Sequence, residues 1–169
     1  MDEKNQQEIF NNWIKEHKNL LFKVARSFEH SVGDQDDLFQ EMSIQLWRSV
    51  DKFKAQSAVS TWIYRIALNT AINWSRKERK HQSGRQELDG KIHVLHENTE
   101  YIDERLPWLY SEIARLDKID KSLALLMLDG YSYKEMAEIL GVSDTNLGVK
   151  IHRIKKHLMN RSKEYQHGI

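Results

Sequence analysis

The sequence predicts an all-α protein: two small helical domains joined by a flexible linker. Three observations carry that prediction. Apolar residues recur at helical spacing through most of the chain. Residues 132–158, SYKEMAEILGVSDTNLGVKIHRIKKHL, place two helix starts around one glycine stop. Between the periodic blocks, residues 83–105 hold scattered polar residues, two glycines and no sustained period.

Phe10, Trp13, Ile14, Leu20, Leu21, Val24 and Phe28 form one stripe, so a first helix is expected over residues 9–28. The run SVGDQDD breaks it. Asp34 is the expected cap of a second helix, whose acidic first turn suits the helix dipole and whose core face is Phe39, Met42, Leu46, Val50 and Phe53. After the loop KAQSA, a third helix is expected over residues 60–80, with Trp62, Ile63, Ile66, Ala67 and Ile72 inside and a basic end, RKERK. Pro107 suits the first turn of the next helix. Leu109, Ile113, Leu116 and the run from Leu123 to Leu128 indicate two helices leading to a final pair.

In that pair Ser132 and Glu135 match a capping box. Gly141 can take the left-handed conformation that stops a helix, and Ser143 can cap the next helix at once. Leu147, Ile151, Ile154 and Leu158 bury one side of it. Thr145, Asn146, Val149, Arg153 and Lys156 then fall opposite, where they can enter a major groove. From residue 150 to 163 the chain carries basic residues and no acid. The pattern is that of a helix-turn-helix, which points to DNA; the bland alternative is a helical hairpin with a solvated charged face.

Composition narrows the function classes. The chain has 169 residues, 40% hydrophobic and 30% charged, with a single proline, which suits helices with wet outer faces. Its 26 Lys and Arg nearly cancel 25 Asp and Glu, so placement of charge matters more than its total. There is no cysteine, which excludes disulfide staples, thiolate nucleophiles and cysteine zinc sites. No apolar run is long enough to span a bilayer, and the start MDEKNQQ lacks a signal-peptide pattern. A cytoplasmic protein without membrane insertion is expected.

Asp37-Leu38-Phe39-Gln40-Glu41, then Ile44, Leu46 and Val50-Asp51-Lys52-Phe53, then Ser60-Thr61-Trp62-Ile63-Tyr64-Arg65-Ile66-Ala67, closely resemble region 2 of bacterial sigma-70 family initiation factors. The helix-turn-helix resembles their region 4. A chain with only these two parts resembles the extracytoplasmic-function (ECF) group. The likeness covers most of residues 9–161 apart from the linker. It implies region 2 over residues 1–82, a linker over 83–105 and region 4 over 106–169.

The resemblance implies two partners, core RNA polymerase and promoter DNA, and leaves room for an anti-sigma factor or another recruiting protein. Asp37, Gln40 and Glu41 match the positions that dock on the largest catalytic polymerase subunit. Capping of the helix N-terminus is an alternative account of Asp36 and Asp37, though not of Glu41. The loop Lys54 to Ala58, including Ser57, lies with Trp62, Arg65 and Asn69 at the −10 element, and Arg76, Lys77, Arg79 and Lys80 lie near the DNA backbone. Aromatic faces and cations suit bases that have left the stack. Trp62 fits a core position equally well. Asn69 has bidentate base-reading capacity. Asn73 stands where relatives often carry aspartate, which puts any polar network there in doubt.

At the −35 element the resemblance places Ser143, Thr145, Asn146, Val149, Lys150 and Arg153 near base edges or phosphates. Lys155, Lys156 and Arg161 would mainly neutralise phosphates. Gly148 departs from the lysine or other helix former that relatives frequently carry. It costs on the order of 1 kcal/mol of helix stability and points to weak or unusual base reading.

No catalytic residue, metal site or cofactor is expected. The chain has no phosphate-cradling glycine loop, and His93 and His96 sit in the linker without cysteine or an acidic frame. The competing function is an ordinary helix-turn-helix repressor or response regulator, which would have no use for DLFQE and TWIYRIA at this spacing.

Overall fold

The structure is a computed structural model that describes residues 1–81 and 105–167, with the side chains of 75–81 and 167 left aside. The expected linker therefore falls, apart from Arg105, outside the described residues. The chain divides into two compact units, Met1–Asn98 and Thr99–Ile169. All regular structure among the described residues is helical.

The first unit packs three helices, α1 (Glu3–Phe28), α2 (Val32–Trp47) and α3 (Val59–His81). Helix α1 begins earlier than its apolar stripe, because Asp2 caps it by accepting the Lys4 N–H at 3.4 Å. It bends at His17, whose φ of −116° and ψ of 16° leave the helical range. Its buried face runs through Trp13, Leu21, Phe22, Val24, Ala25 and Phe28. Phe22, absent from the expected stripe, stacks on Phe39 at 4.8 Å and lies under the cations of Lys18 and Arg26.

The cap of α2 is Ser31 rather than Asp34. Ser31 Oγ accepts the Asp34 N–H at 3.1 Å and donates to Asp34 Oδ2 at 2.6 Å, so the acid sits in the first turn and the helix starts at Val32. Gly33 lies within that turn instead of breaking it. Leu38, Met42 and Leu46 are fully buried, and Val50 continues their row in a 3-10 turn, Val50–Lys52. Each such side chain contributes roughly 1.5–3 kcal/mol of burial.

The expected core face of α3 is off by about one residue. Ile63, Tyr64, Ala67, Leu68 and Ala71 are buried, while Trp62, Ile66 and Ile72 are half-buried. One residue turns a helix by about 100°. Both α1 and α2 pack against α3, and the Tyr64 ring fills the centre with Lys23 Nζ 5.6 Å above it. The larger apolar residues Trp62 and Ile66 consequently face sideways.

The second unit holds α4 (Arg105–Ala114), α5 (Lys118–Leu128), α6 (Tyr133–Leu140) and α7 (Leu147–His167). Pro107 lies in the first turn of α4, as its missing N–H allows. Asp117 caps α5 by accepting the Asp120 N–H at 2.9 Å, and Leu123 through Leu126 are buried. Gly130, at φ 82°, closes that helix with the Tyr131 N–H bonded to Leu126 O. The capping box of α6 is complete: Ser132 Oγ accepts the Glu135 N–H at 3.2 Å, and Glu135 Oε2 accepts the Ser132 N–H at 2.7 Å. Gly141 takes φ 66° and ψ 33°. Ser143 then caps a 3-10 turn, Asp144–Asn146, before α7 begins, so the second helix does not start at once. Leu147, Ile151, Ile154 and Leu158 form the buried face of α7.

Candidate polymerase and nucleic-acid interfaces

On α2 the side chains of Asp37, Gln40 and Glu41 share one helix face with Ile44, at spacings of three, four and seven residues. Gln40 is exposed, and Asp37 and Glu41 are half-buried. Gln45 Nε2 donates to Glu41 Oε1 at 2.8 Å, which holds that carboxylate in one orientation. Ile44 is 45% exposed, a bare apolar patch beside the acids. Its position one turn beyond Gln40 was the available signal. Asp36 is not a cap: it is buried, and neither carboxylate oxygen accepts a hydrogen bond.

Between α2 and α3 runs an open groove of about 430 Å³. Trp62, Ile66, Asn69, Thr70, Asn73 and Trp74 line it from α3, facing Glu41, Gln45, Arg48, Ser49 and Lys52. Trp62 is anchored by its Nε1, which donates to Ser49 Oγ at 3.3 Å, and by the Phe53 ring at 5.6 Å. Phe53 in turn meets Trp13 edge-on at 5.5 Å. Trp62 is thus core on one side and groove wall on the other, because its helix turns it between the two. Trp74 Nε1 is buried with no hydrogen-bond partner. Asn69 and Asn73, four residues apart, put two amides into the same groove. Arg48, Lys52, Gln45 and Trp74 escaped sequence reasoning, since only the packing of α2 on α3 brings them there.

The other expected −10 residues lie apart from the groove lining. Arg65 is exposed on α3, and Lys54 and Ser57 are exposed on the preceding loop. That loop contains Ala55 at φ 54°, a left-handed conformation that costs a non-glycine residue about 1 kcal/mol or more. Arg76, Lys77, Arg79 and Lys80 fall in the last turns of α3, where side chains lie outside the described residues.

In the second unit Thr145, Asn146, Val149, Lys150, Arg153, Lys155 and Lys156 are all exposed, away from the buried face of α7. Ser143 is also exposed, but its hydroxyl accepts the Thr145 N–H at 3.3 Å and pairs with Thr145 Oγ1 at 3.0 Å, so it shapes the turn. Gly148 is half-buried; a Cβ there would meet only the Tyr133 ring, at 3.7 Å. Asp120 at the start of α5 is held above the ordinary aspartate range by burial and then by the neighbouring Asp117, against the pull of Lys150 and Arg153.

The guanidinium of Arg161, which the resemblance places near phosphate, faces Glu112 on α4 at 3.0 Å and Glu164 at 2.8 Å. Glu112 is buried, and the hydrogen bond from Arg161 holds its carboxyl below the usual range, with Arg115 adding a nearby positive charge. Among the described residues no group of three or more His, Asp or Glu is placed to hold a metal ion, and no helix is long and apolar enough to cross a membrane. His93 and His96 lie outside the described residues.

Two family models match this architecture: sigma-70 region 2 over residues 13–81 and sigma-70, region 4 over residues 106–158. The chain is 28% identical over 166 residues to the RNA polymerase sigma factor YlaC of Bacillus subtilis, covering 94% of each. It is also 28% identical to the ECF RNA polymerase sigma-E factor of Haemophilus influenzae, covering 90% of this chain and 86% of that one. In fold it is similar to the sigma factor RpoE solved with the anti-sigma factor NepR from Bartonella quintana, at TM-score 0.73 and 20% identity over 92% of this chain and 98% of that one. CnrH, solved with the cytosolic domain of CnrY, follows at TM-score 0.65 and 23% identity, over 94% and 90%.

Proposed function

Because the chain belongs to the sigma-70 family of RNA polymerase initiation factors, in its ECF group, we propose that its two units divide the work of promoter recognition. It directs RNA polymerase to specific promoters. The Asp37, Gln40, Glu41 and Ile44 face docks on a basic helix of the core enzyme, acids meeting cations around an apolar centre. The α2–α3 groove and the loop before α3 hold the −10 element as it melts. Trp62 and Trp74 offer ring surfaces, Asn69 and Asn73 offer amides to base edges, and Arg48 and Lys52 offer charge to the backbone. Helix α7 reads the −35 element with Asn146, Val149, Lys150 and Arg153, while Lys155 and Lys156 neutralise phosphates. Residues 1–82 and 106–169 act as the two binding modules and residues 83–105 as the tether.

The observation that carries this reading is the groove, where tryptophans, asparagines and cations from two helices converge without closing a core over themselves. Run-off transcription with purified core enzyme tests it, alongside permanganate footprinting of unpaired thymines. The reading expects Trp62→Ala to leave polymerase association intact and to abolish the footprint around the −10 element. A normal footprint with that variant would remove the groove from melting.

The protein works in the cytoplasm and performs no catalysis of its own. RpoE is bound by an anti-sigma factor and CnrH by the cytosolic domain of CnrY. A protein of that kind, or a recruiting protein, controls this chain in the same way.

A further inference from the structure

We infer that the bare backbone at Gly148, bordered by the Tyr133 ring and followed by Val149, is a seat for the 5-methyl group of one thymine in the upstream promoter element. The inference rests on the DNA-reading role proposed above for α7 and deepens it by naming the base.

Val149 is 53% exposed, and every other exposed residue between positions 145 and 156 is polar or charged. It packs into no core, yet it sits in the first turn of α7 among Asn146, Lys150 and Arg153, whose amide and cations suit base edges and phosphates. Tyr133, 46% exposed, is the first residue of α6, directly after the capping serine. Its ring carbon lies 3.7 Å from the place a Gly148 Cβ would occupy, and apart from the adjoining residues and backbone of α7 itself no other atom comes within 4 Å of that place. A tyrosine ring therefore borders a stretch of helix with no side chain of its own, and the next residue along that helix is an exposed valine. Such backbone can approach a ligand more closely than any other residue allows.

Major-groove edges present hydrogen-bond donors and acceptors, and the thymine methyl is the one apolar group among them. A valine and an aromatic ring edge complement a methyl at ordinary carbon contact distances of about 3.5–4.0 Å. Cytosine and uracil offer nothing to fill that space. A lysine at position 148 would place a long chain over it. Gly148 is, on this account, the reading device itself rather than a weakened contact.

The test uses the full chain with core polymerase on a promoter located by start-site mapping. Each thymine of the upstream element is replaced singly by deoxyuridine, which removes only the methyl. One position should lose about fourfold in run-off transcription, a methyl's worth of burial. Val149→Ala and Gly148→Lys, each checked for unchanged helicity, should lose that sensitivity. If no deoxyuridine matters although scrambling the upstream element cuts transcription, α7 reads DNA without this seat and the inference fails alone. Scrambling without effect would overturn the inference and the role of α7 together. Sensitivity that survives in Val149→Ala would put the methyl contact elsewhere and refute the assignment.

Discussion

Arg161 and Glu112, 49 residues apart in the chain, meet in a two-point ion pair: Arg161 Nε donates to Glu112 Oε2 at 3.0 Å and Nη2 donates to Oε1 at 3.3 Å. The pair ties α4 to the last turns of α7, and the Trp108 and Tyr165 rings, 5.4 Å apart, extend the same seam. The far end of α7 is thus fastened by a carboxylate that is almost fully buried.

Glu112→Gln should lower the melting temperature of the full chain at pH 7, followed by circular dichroism. The hydrogen bond and charge of Arg161 lower the folded-state value of Glu112 below 4.5, so its contribution is present above that value and is lost as pH falls through the folded one. The gap between wild type and variant should therefore close as pH drops from 5 towards 3, at about the range where ordinary carboxylates protonate. A gap that stays constant over that range would mean that the ion pair does not stabilise the unit.

The two ends of α6, the helix that precedes α7, each have a local signature. Ser132→Ala removes half of the capping box and should cost about 1 kcal/mol in urea denaturation. Gly141→Ala forces a side chain into φ 66° and should cost about 1 kcal/mol or more. If both variants denature like wild type, the turn is not held by these two residues.

Gly148→Ala should behave in the opposite way. The added methyl meets only the Tyr133 ring at ordinary contact distance, and alanine favours the helix, so stability should rise by up to about 1 kcal/mol. Its transcription from upstream-dependent promoters should fall at the same time. A variant both more stable and fully active would show that the bare backbone has no function.

Gln40→Lys with Glu41→Lys should abolish association with core polymerase in a pull-down while leaving helical content unchanged, because two cations would face a basic partner and neither side chain is buried in the core. Retained association would remove this face from the interface.

Replacing Asn146 or Arg153 by alanine should reorder promoter preference at the upstream element. Replacing Lys155 and Lys156 together should weaken all promoters and reduce the salt slope of DNA binding by about 2. An unchanged promoter ranking with the first pair would mean that α7 does not read sequence.

Much of this protein is legible along the chain because short-range contacts decide it. The capping box at Ser132, the left-handed Gly141 and the Leu147, Ile151, Ile154 and Leu158 face all depend on partners within a few residues, where spacing dictates geometry. The polar stripe of Asp37, Gln40 and Glu41 follows from the same periodicity. What tertiary structure alone decided involves choices between near-equal local options or partners far away in sequence. Ser31 and Asp34 could each cap α2, and the two hydrogen bonds between them go with the earlier start. Hydrophobicity favours Trp62 over Tyr64 for the core of α3, yet the space left by α1 and α2 takes the tyrosine and turns the tryptophan into a groove wall. Nothing near Arg161 in the chain announces Glu112, so a residue that reads as one more phosphate cation becomes a structural clasp. Periodicity fixes which residues share a helix face, but not which way that face turns, because its direction is set by the shape and charge of the helices packed against it.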